Sequence, residues 1–106
     1  MGLIWWEITL RRHGEAVLFD LDGRLCLCEE GFAEIQTLIE TVARLGYRNV
    51  KLNLERFPYL DSAALGCLVR SVGRAKEHGA QVTFINAQPR VLKLLEVTGL
   101  SFLAEA

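Results

Sequence analysis

Residues 49–66, NVKLNLERFPYLDSAALG, change periodicity partway along, and that change decides the fold. In Asn49–Leu54, Val50, Leu52 and Leu54 alternate with Lys51 and Asn53, the period of two of a half-buried strand. Glu55–Leu60, with Pro58, reads as a loop. Asp61-Ser62 then opens a helix whose core stripe is Leu65, Leu68, Val69, Val72 and Ala75. His78-Gly79 ends that helix, with glycine where the chain must turn left-handed.

The pattern extends in both directions. Downstream, Ala80–Ile85 is a strand with Val82 and Phe84 on one face, and Pro89 fits the first position of a third helix, where its missing N–H costs nothing. Val91, Leu92, Leu94, Leu95 and Val97 form that helix's apolar face; Gly99 stops it, and Ser101–Leu103 is a candidate last strand. Upstream, Phe32, Ile35, Leu38, Ile39, Val42 and Leu45 mark a helix over Glu29–Leu45, ended by Gly46. Leu3–Leu10 reads as an edge strand, Arg11–Glu15 as a turn around Gly14, and Ala16–Leu21 as a second strand closed by Asp22-Gly23. The order β-β-α-β-α-β-α, with an optional short final strand, implies an α/β fold: one mixed β-sheet with helices packed on one side. The whole chain, 1–106, is one domain.

Composition narrows the function. At 106 residues and 51% hydrophobic, the chain can bury one core between a sheet and its helices. A formal net charge of −1 lacks the basic excess of a nucleic-acid binder. The opening MGLIWWEITL has no basic lead-in and no small-residue cleavage site, and no apolar run reaches the roughly 20 residues of a membrane span. The expectation is a soluble cytoplasmic protein without membrane insertion. Three cysteines, Cys26, Cys28 and Cys67, do not make a disulfide framework. Cys26 and Cys28 are spaced C-x-C with neither His13 nor His78 nearby, so they read as small space-filling side chains rather than metal ligands.

Catalytic motifs are missing: there is no G-x-S-x-G, P-loop or G-x-G-x-x-G. His78 stands at the opposite end of the second helix from Ser62, about 24 Å away at the helical rise, and cannot act as its base. The expectation is a chain that is not an enzyme and carries no cofactor. Taken alone, Asp61 or Ser62 is an N-cap accepting a bond from a free backbone N–H. Ser62, Gly66, Val69 and Gly73 follow steps of four, three and four beside the core stripe, with Arg70 next to them. Two helical glycines cost about 1 kcal/mol each relative to alanine. Either they relieve crowding inside the fold or they open a shallow groove to a partner.

Several segments fall in a recognisable order: Gly23-Arg24-Leu25, Val50-Lys51-Leu52-Asn53-Leu54, Tyr59-Leu60-Asp61-Ser62, Leu65-Gly66, Lys76-Glu77-His78-Gly79, Pro89-Arg90-Val91 and Thr98-Gly99-Leu100. In that order and spacing the chain resembles the STAS family and, within it, the bacterial anti-sigma factor antagonists, over nearly its whole length. The resemblance implies a cytoplasmic partner switch without catalytic activity. An anti-sigma factor that is also a serine kinase binds the unmodified antagonist and releases its sigma factor. Phosphorylation of the serine after the aspartate, here Ser62, ends the complex, and a metal-dependent serine phosphatase resets it. The implied partner surface is Asp61, Ser62, Ala63, Gly66, Arg70 and Gly73, with Arg24 and Cys26. Two positions depart from the pattern: Cys26 stands where the family usually has aspartate, and Ala64 where it usually has glycine. Both departures fit either a different cognate kinase or a domain that binds without being phosphorylated. A STAS subunit of a lipid-transport ABC complex, docked on its ATPase subunit, is the alternative; a small hydrolase built on Ser62 lacks a base.

Overall fold

The computed structural model describes residues 6–23, 29–56 and 62–104. Its elements are β1 (Trp6–His13), β2 (Ala16–Gly23), α1 (Glu29–Arg44), β3 (Asn49–Arg56), α2 (Ser62–Glu77), β4 (Gln81–Ile85) and α3 (Pro89–Val97), with a short 3-10 turn over Ser101–Leu103. The sheet order is β1-β2-β3-β4; β1 runs antiparallel to β2, while β2, β3 and β4 are mutually parallel neighbours. The expected mixed sheet and element order are present.

One sheet face carries the core. Val17, Phe19 and Leu21 of β2, Val50, Leu52 and Leu54 of β3, and Val82 and Phe84 of β4 are buried at alternate positions. They meet Ile35, Ile39 and Val42 of α1, Leu65, Leu68 and Ala75 of α2, and Val91 and Leu95 of α3 in one contiguous cluster. The opposite face carries Thr9, Arg11, Asp20, Lys51, Asn53 and Thr83 at the intervening positions. All three helices end in the same way. The residue after Gly46, Gly79 or Gly99 donates back five positions: Tyr47 to Val42, Ala80 to Ala75, Leu100 to Leu95. The glycine itself takes a positive φ, which this closure requires.

Several assignments differ from the sequence reading. The first strand runs to His13, and its turn is only Gly14-Glu15. Arg11 and Arg12 were read as part of the turn around Gly14; in the sheet Arg11 binds Asp20 across the ladder, and the Arg12 guanidinium lies 5.9 Å from the Tyr47 ring centre. Residues 3–5 of the predicted strand lie outside the described residues. β3 continues through Glu55 and Arg56, which were read as loop. Ser101–Leu103 is a 3-10 turn rather than a strand, and a single parallel bridge joins Phe84 to Ala104. Three predicted face residues are exposed: Leu45 lies past the end of α1, and Leu92 and Val97 face outward on α3.

Candidate functional site

β2 and β3 are parallel neighbours, and Asp22 pairs with Arg56 at their ends. Residues 24–28 follow β2 in the chain and residues 57–61 follow β3; neither segment is among the described residues. Arg24, Cys26 and Asp61 belong to these segments and lie outside the described residues. The chain re-enters at Ser62, the first residue of α2. The side chains of Ser62, Ala63 and Ala64 are likewise outside the description; their backbone is helical.

α2 turns Leu65, Leu68 and Ala75 into the core, with Val69 and Val72 half-buried beside them. At 3.6 residues per turn, Ser62, Gly66, Val69 and Gly73 fall within about 60° of one another along the helix, beside the core stripe. Among the described residues, a β-carbon added at Gly66 or Gly73 meets no atom within 4 Å, so crowding by them does not require either glycine. α2 has no acidic residue in its first turn and carries Arg74 and Lys76 in its last. The positive end of its dipole lies at that first turn.

The exposed Arg70 is turned along the helix: its Nη2 donates to the Cys67 Sγ at 3.1 Å. Ser71 is 2% exposed, and its hydroxyl donates to the Cys67 carbonyl at 3.1 Å. At the far end, Glu40 of α1 gathers Arg74 at 3.5 Å, His78 at 3.6 Å and Arg44 at 3.4 Å, and so ties α1 to α2. His78 is engaged there, away from Ser62. Among the described residues no three His, Cys, Asp or Glu side chains cluster to hold a metal, and no helix is long and apolar enough to cross a membrane.

Sequence reasoning missed a polar network on the uncovered sheet face. Arg11 binds Asp20 through Nε and, at 3.0 Å, through Nη2. Asn53 Nδ2 donates to Asp20 Oδ1 at 2.8 Å, and Asn86 Nδ2 donates to Asn53 Oδ1 at 3.1 Å. The hydrogen bond from Arg11 holds the Asp20 carboxyl below the usual carboxylate range, against partial burial and with help from Asn53. A cavity of about 320 Å³ opens here, lined by Thr9, Arg11, Asp20, Asn53, Glu55 and Arg56. The available signal was Asp20, a carboxylate within the apolar run Ala16–Leu21; Asn53 gave none, because it occupies an ordinary polar position of its strand's alternation.

The sequence profile described as the STAS domain matches residues 7–105. The anti-sigma-B factor antagonist of Staphylococcus aureus strain NCTC 8325 / PS 47 is 27% identical over 67 residues, which is 63% of this chain and 62% of that one. The match thus spans less than two thirds of that relative's length. Among solved structures, the anti-sigma factor antagonist SpoIIAA in its unphosphorylated form superposes with a TM-score of 0.76 at 22% identity, covering 93% of this chain and 86% of that one. The phosphorylated form of SpoIIAA, described as the Bacillus cell fate determinant, gives 0.72 at 21%, covering 93% and 89%. An anti-sigma factor antagonist from Mycobacterium paratuberculosis gives 0.75 at 13%, covering 92% and 81%. At these identities the structural likeness concerns the fold.

Proposed function

The chain belongs to the STAS domain family, and from that premise we propose that it is an anti-sigma factor antagonist switched by phosphorylation of Ser62. The observation that carries this reading is that Ser62 is the first residue of α2, in helical line with Gly66 and Gly73. The printed role of the Staphylococcus aureus relative supports it.

In the unmodified state this line of α2 docks on an anti-sigma factor that is also a serine kinase, and the sigma factor is freed. Gly66 and Gly73 let the partner approach the helix backbone. Asp61, Ser62 and Ala63 form the leading edge of the contact and Arg70 its flank, and Arg24 and Cys26 take part in it. The kinase transfers the terminal phosphoryl group of ATP to the Ser62 hydroxyl: a phosphorus–oxygen bond to Ser62 forms, the bond to the leaving ADP breaks, and the hydroxyl proton is lost. A metal-dependent phosphatase hydrolyses the ester and restores the hydroxyl.

The physics of α2 suits this cycle. A phosphate adds about −1.5 to −2 charges at pH 7. The helix N-terminus tolerates an anion, so the fold survives. The partner does not: a contact that buried a neutral hydroxyl must now desolvate a dianion without a matched cation. Arg70, the first cation of α2, is eight residues on, about 12 Å along the axis, and bonded to Cys67.

The test is capture of partners by the tagged chain in its native host, with mass spectrometry of what co-elutes. Recovery of an anti-sigma kinase is the expected result. Stable recovery of a transport ATPase subunit instead would overturn the antagonist reading in favour of a transporter subunit.

A further inference from the structure

β3 is displaced by one residue just before it hands the chain to the segment that leads to Ser62. Asp20 pairs with Asn53, but the next pair is Asp22 with Arg56, so Leu54 and Glu55 stand opposite Leu21 alone. Such an extra residue bends and twists its strand, and it is uncommon between parallel strands. Leu54 remains buried in the core, and Glu55 takes up the surplus on the outside. Side chains receive both of its main-chain groups. The Glu55 N–H donates to Asn53 Oδ1 at 3.2 Å, and the Glu55 carbonyl accepts from Gln88 Nε2 at 2.7 Å. Gln88 sits at the N-cap of α3 yet makes no cap bond there; its amide reaches Glu55 instead.

Asn53 is the centre of this arrangement. Its Oδ1 accepts from Glu55 and from Asn86 at 3.1 Å, while its Nδ2 donates to Asp20 at 2.8 Å. Only a side chain with an acceptor and a donor on one planar group can do this. The ionised Asp20, held by Arg11, can only accept, which fixes the amide's orientation. A carboxylate at position 53 would meet Asp20 as a like charge, and an aliphatic side chain would leave the Glu55 N–H without this acceptor.

We propose that Asn53 is a positioning residue: with Gln88 it fixes the displaced end of β3 and thereby the presentation of Ser62, six residues beyond Arg56. The inference rests on the antagonist reading of Ser62 and adds to it a residue that lies outside the docking line. The polar network then serves the presentation of Ser62 to the kinase, not merely the cohesion of the sheet.

The test compares Asn53→Ala and Gln88→Ala with Val82→Ala, a core truncation in β4 that weakens the fold without touching Glu55. Amide resonances and hydrogen exchange are read first, on the free protein. Asn53→Ala and Gln88→Ala shift the Ser62–Leu65 amides, and Asn53→Ala speeds Glu55 exchange by about tenfold or more beyond the change in Val82→Ala. Both then lower the kinase's kcat/KM for Ser62 by about fivefold or more, while Val82→Ala, assayed where it is folded, keeps it. Unmoved Ser62–Leu65 resonances in both variants overturn the proposal whatever the partner. Shifted resonances with unchanged kcat/KM also overturn it, since Asn53 would then be a strut of the fold only. A native chain that no anti-sigma kinase binds or modifies removes the antagonist reading itself, an outcome distinct from either.

Discussion

Gly66 and Gly73 lie two turns apart on one line of α2, and among the described residues a β-carbon at either would meet no atom within 4 Å. Glycine is a poor helix residue, so positions that space does not force to be glycine lose stability by having it. Under the antagonist reading the partner occupies that space.

Substitution at Gly66 separates fold from docking. Gly66→Ala and Gly73→Ala should each raise stability by up to about 1 kcal/mol, a few degrees in Tm, because alanine is the better helix former and nothing is displaced. Gly66→Leu should keep the Tm of the native chain and lose partner binding through bulk alone. Thermal melts beside a binding assay check this. A Tm drop worth about 1–3 kcal/mol in Gly66→Leu would mark an overfilled core and place the interface elsewhere.

The modified serine should be Ser62 alone. Ser71 is on the same helix but 2% exposed, with its hydroxyl bonded to the Cys67 carbonyl, so a kinase cannot reach it without unwinding the helix. Ser101 is exposed and serves as an internal control. Phosphopeptide mapping after incubation with the kinase should find phosphate on Ser62 and none on Ser71 or Ser101, and Ser62→Ala should abolish labelling. Phosphate on Ser101 with Ser62 unmodified would contradict the assignment.

Acid should reveal the Asp20 network. Asp20 is held below its unfolded value chiefly by the hydrogen bond from Arg11. A carboxyl with a depressed folded pKa stabilises the fold above its unfolded value, near 3.9, and that contribution fades as pH falls from about 4 through the folded value. Asp20→Asn should therefore melt a few degrees below the native chain at pH 7, and the gap should close in stronger acid. Both partners are partly exposed, so the effect should be modest and shrink with added salt. A gap of equal size at pH 7 and pH 2 would mean that packing rather than charge holds Asp20.

Periodicity made the fold legible because each element keeps one apolar face: Val50, Leu52 and Leu54 at every second position, Ile35, Ile39 and Val42 at every third or fourth. The positive-φ glycines 46, 79 and 99 punctuate it at the helix ends. What failed was the length of the turn around Gly14. Arg11 and Arg12 belong to β1, where Arg11 binds Asp20 and the Arg12 guanidinium lies over the Tyr47 ring, contacts that only the tertiary structure supplies. Asn53 was read as the polar half of an alternation. Its three bonds to Asp20, Glu55 and Asn86 join residues up to 33 positions away, which no window on one strand contains. The line of α2 through Gly66 and Gly73 was readable from spacing, whereas the space around these glycines was not.

The central claim is that charge on Ser62 breaks the partner contact. Calorimetric titration of the anti-sigma kinase with Ser62→Ala and Ser62→Asp tests it most directly. Ser62→Ala, which keeps the site neutral, should bind as the native chain does. Ser62→Asp should bind at least about tenfold more weakly, about 1.4 kcal/mol, a lower bound because aspartate is smaller than phosphoserine and carries one charge. Equal affinity of the two variants for the kinase would contradict the switch.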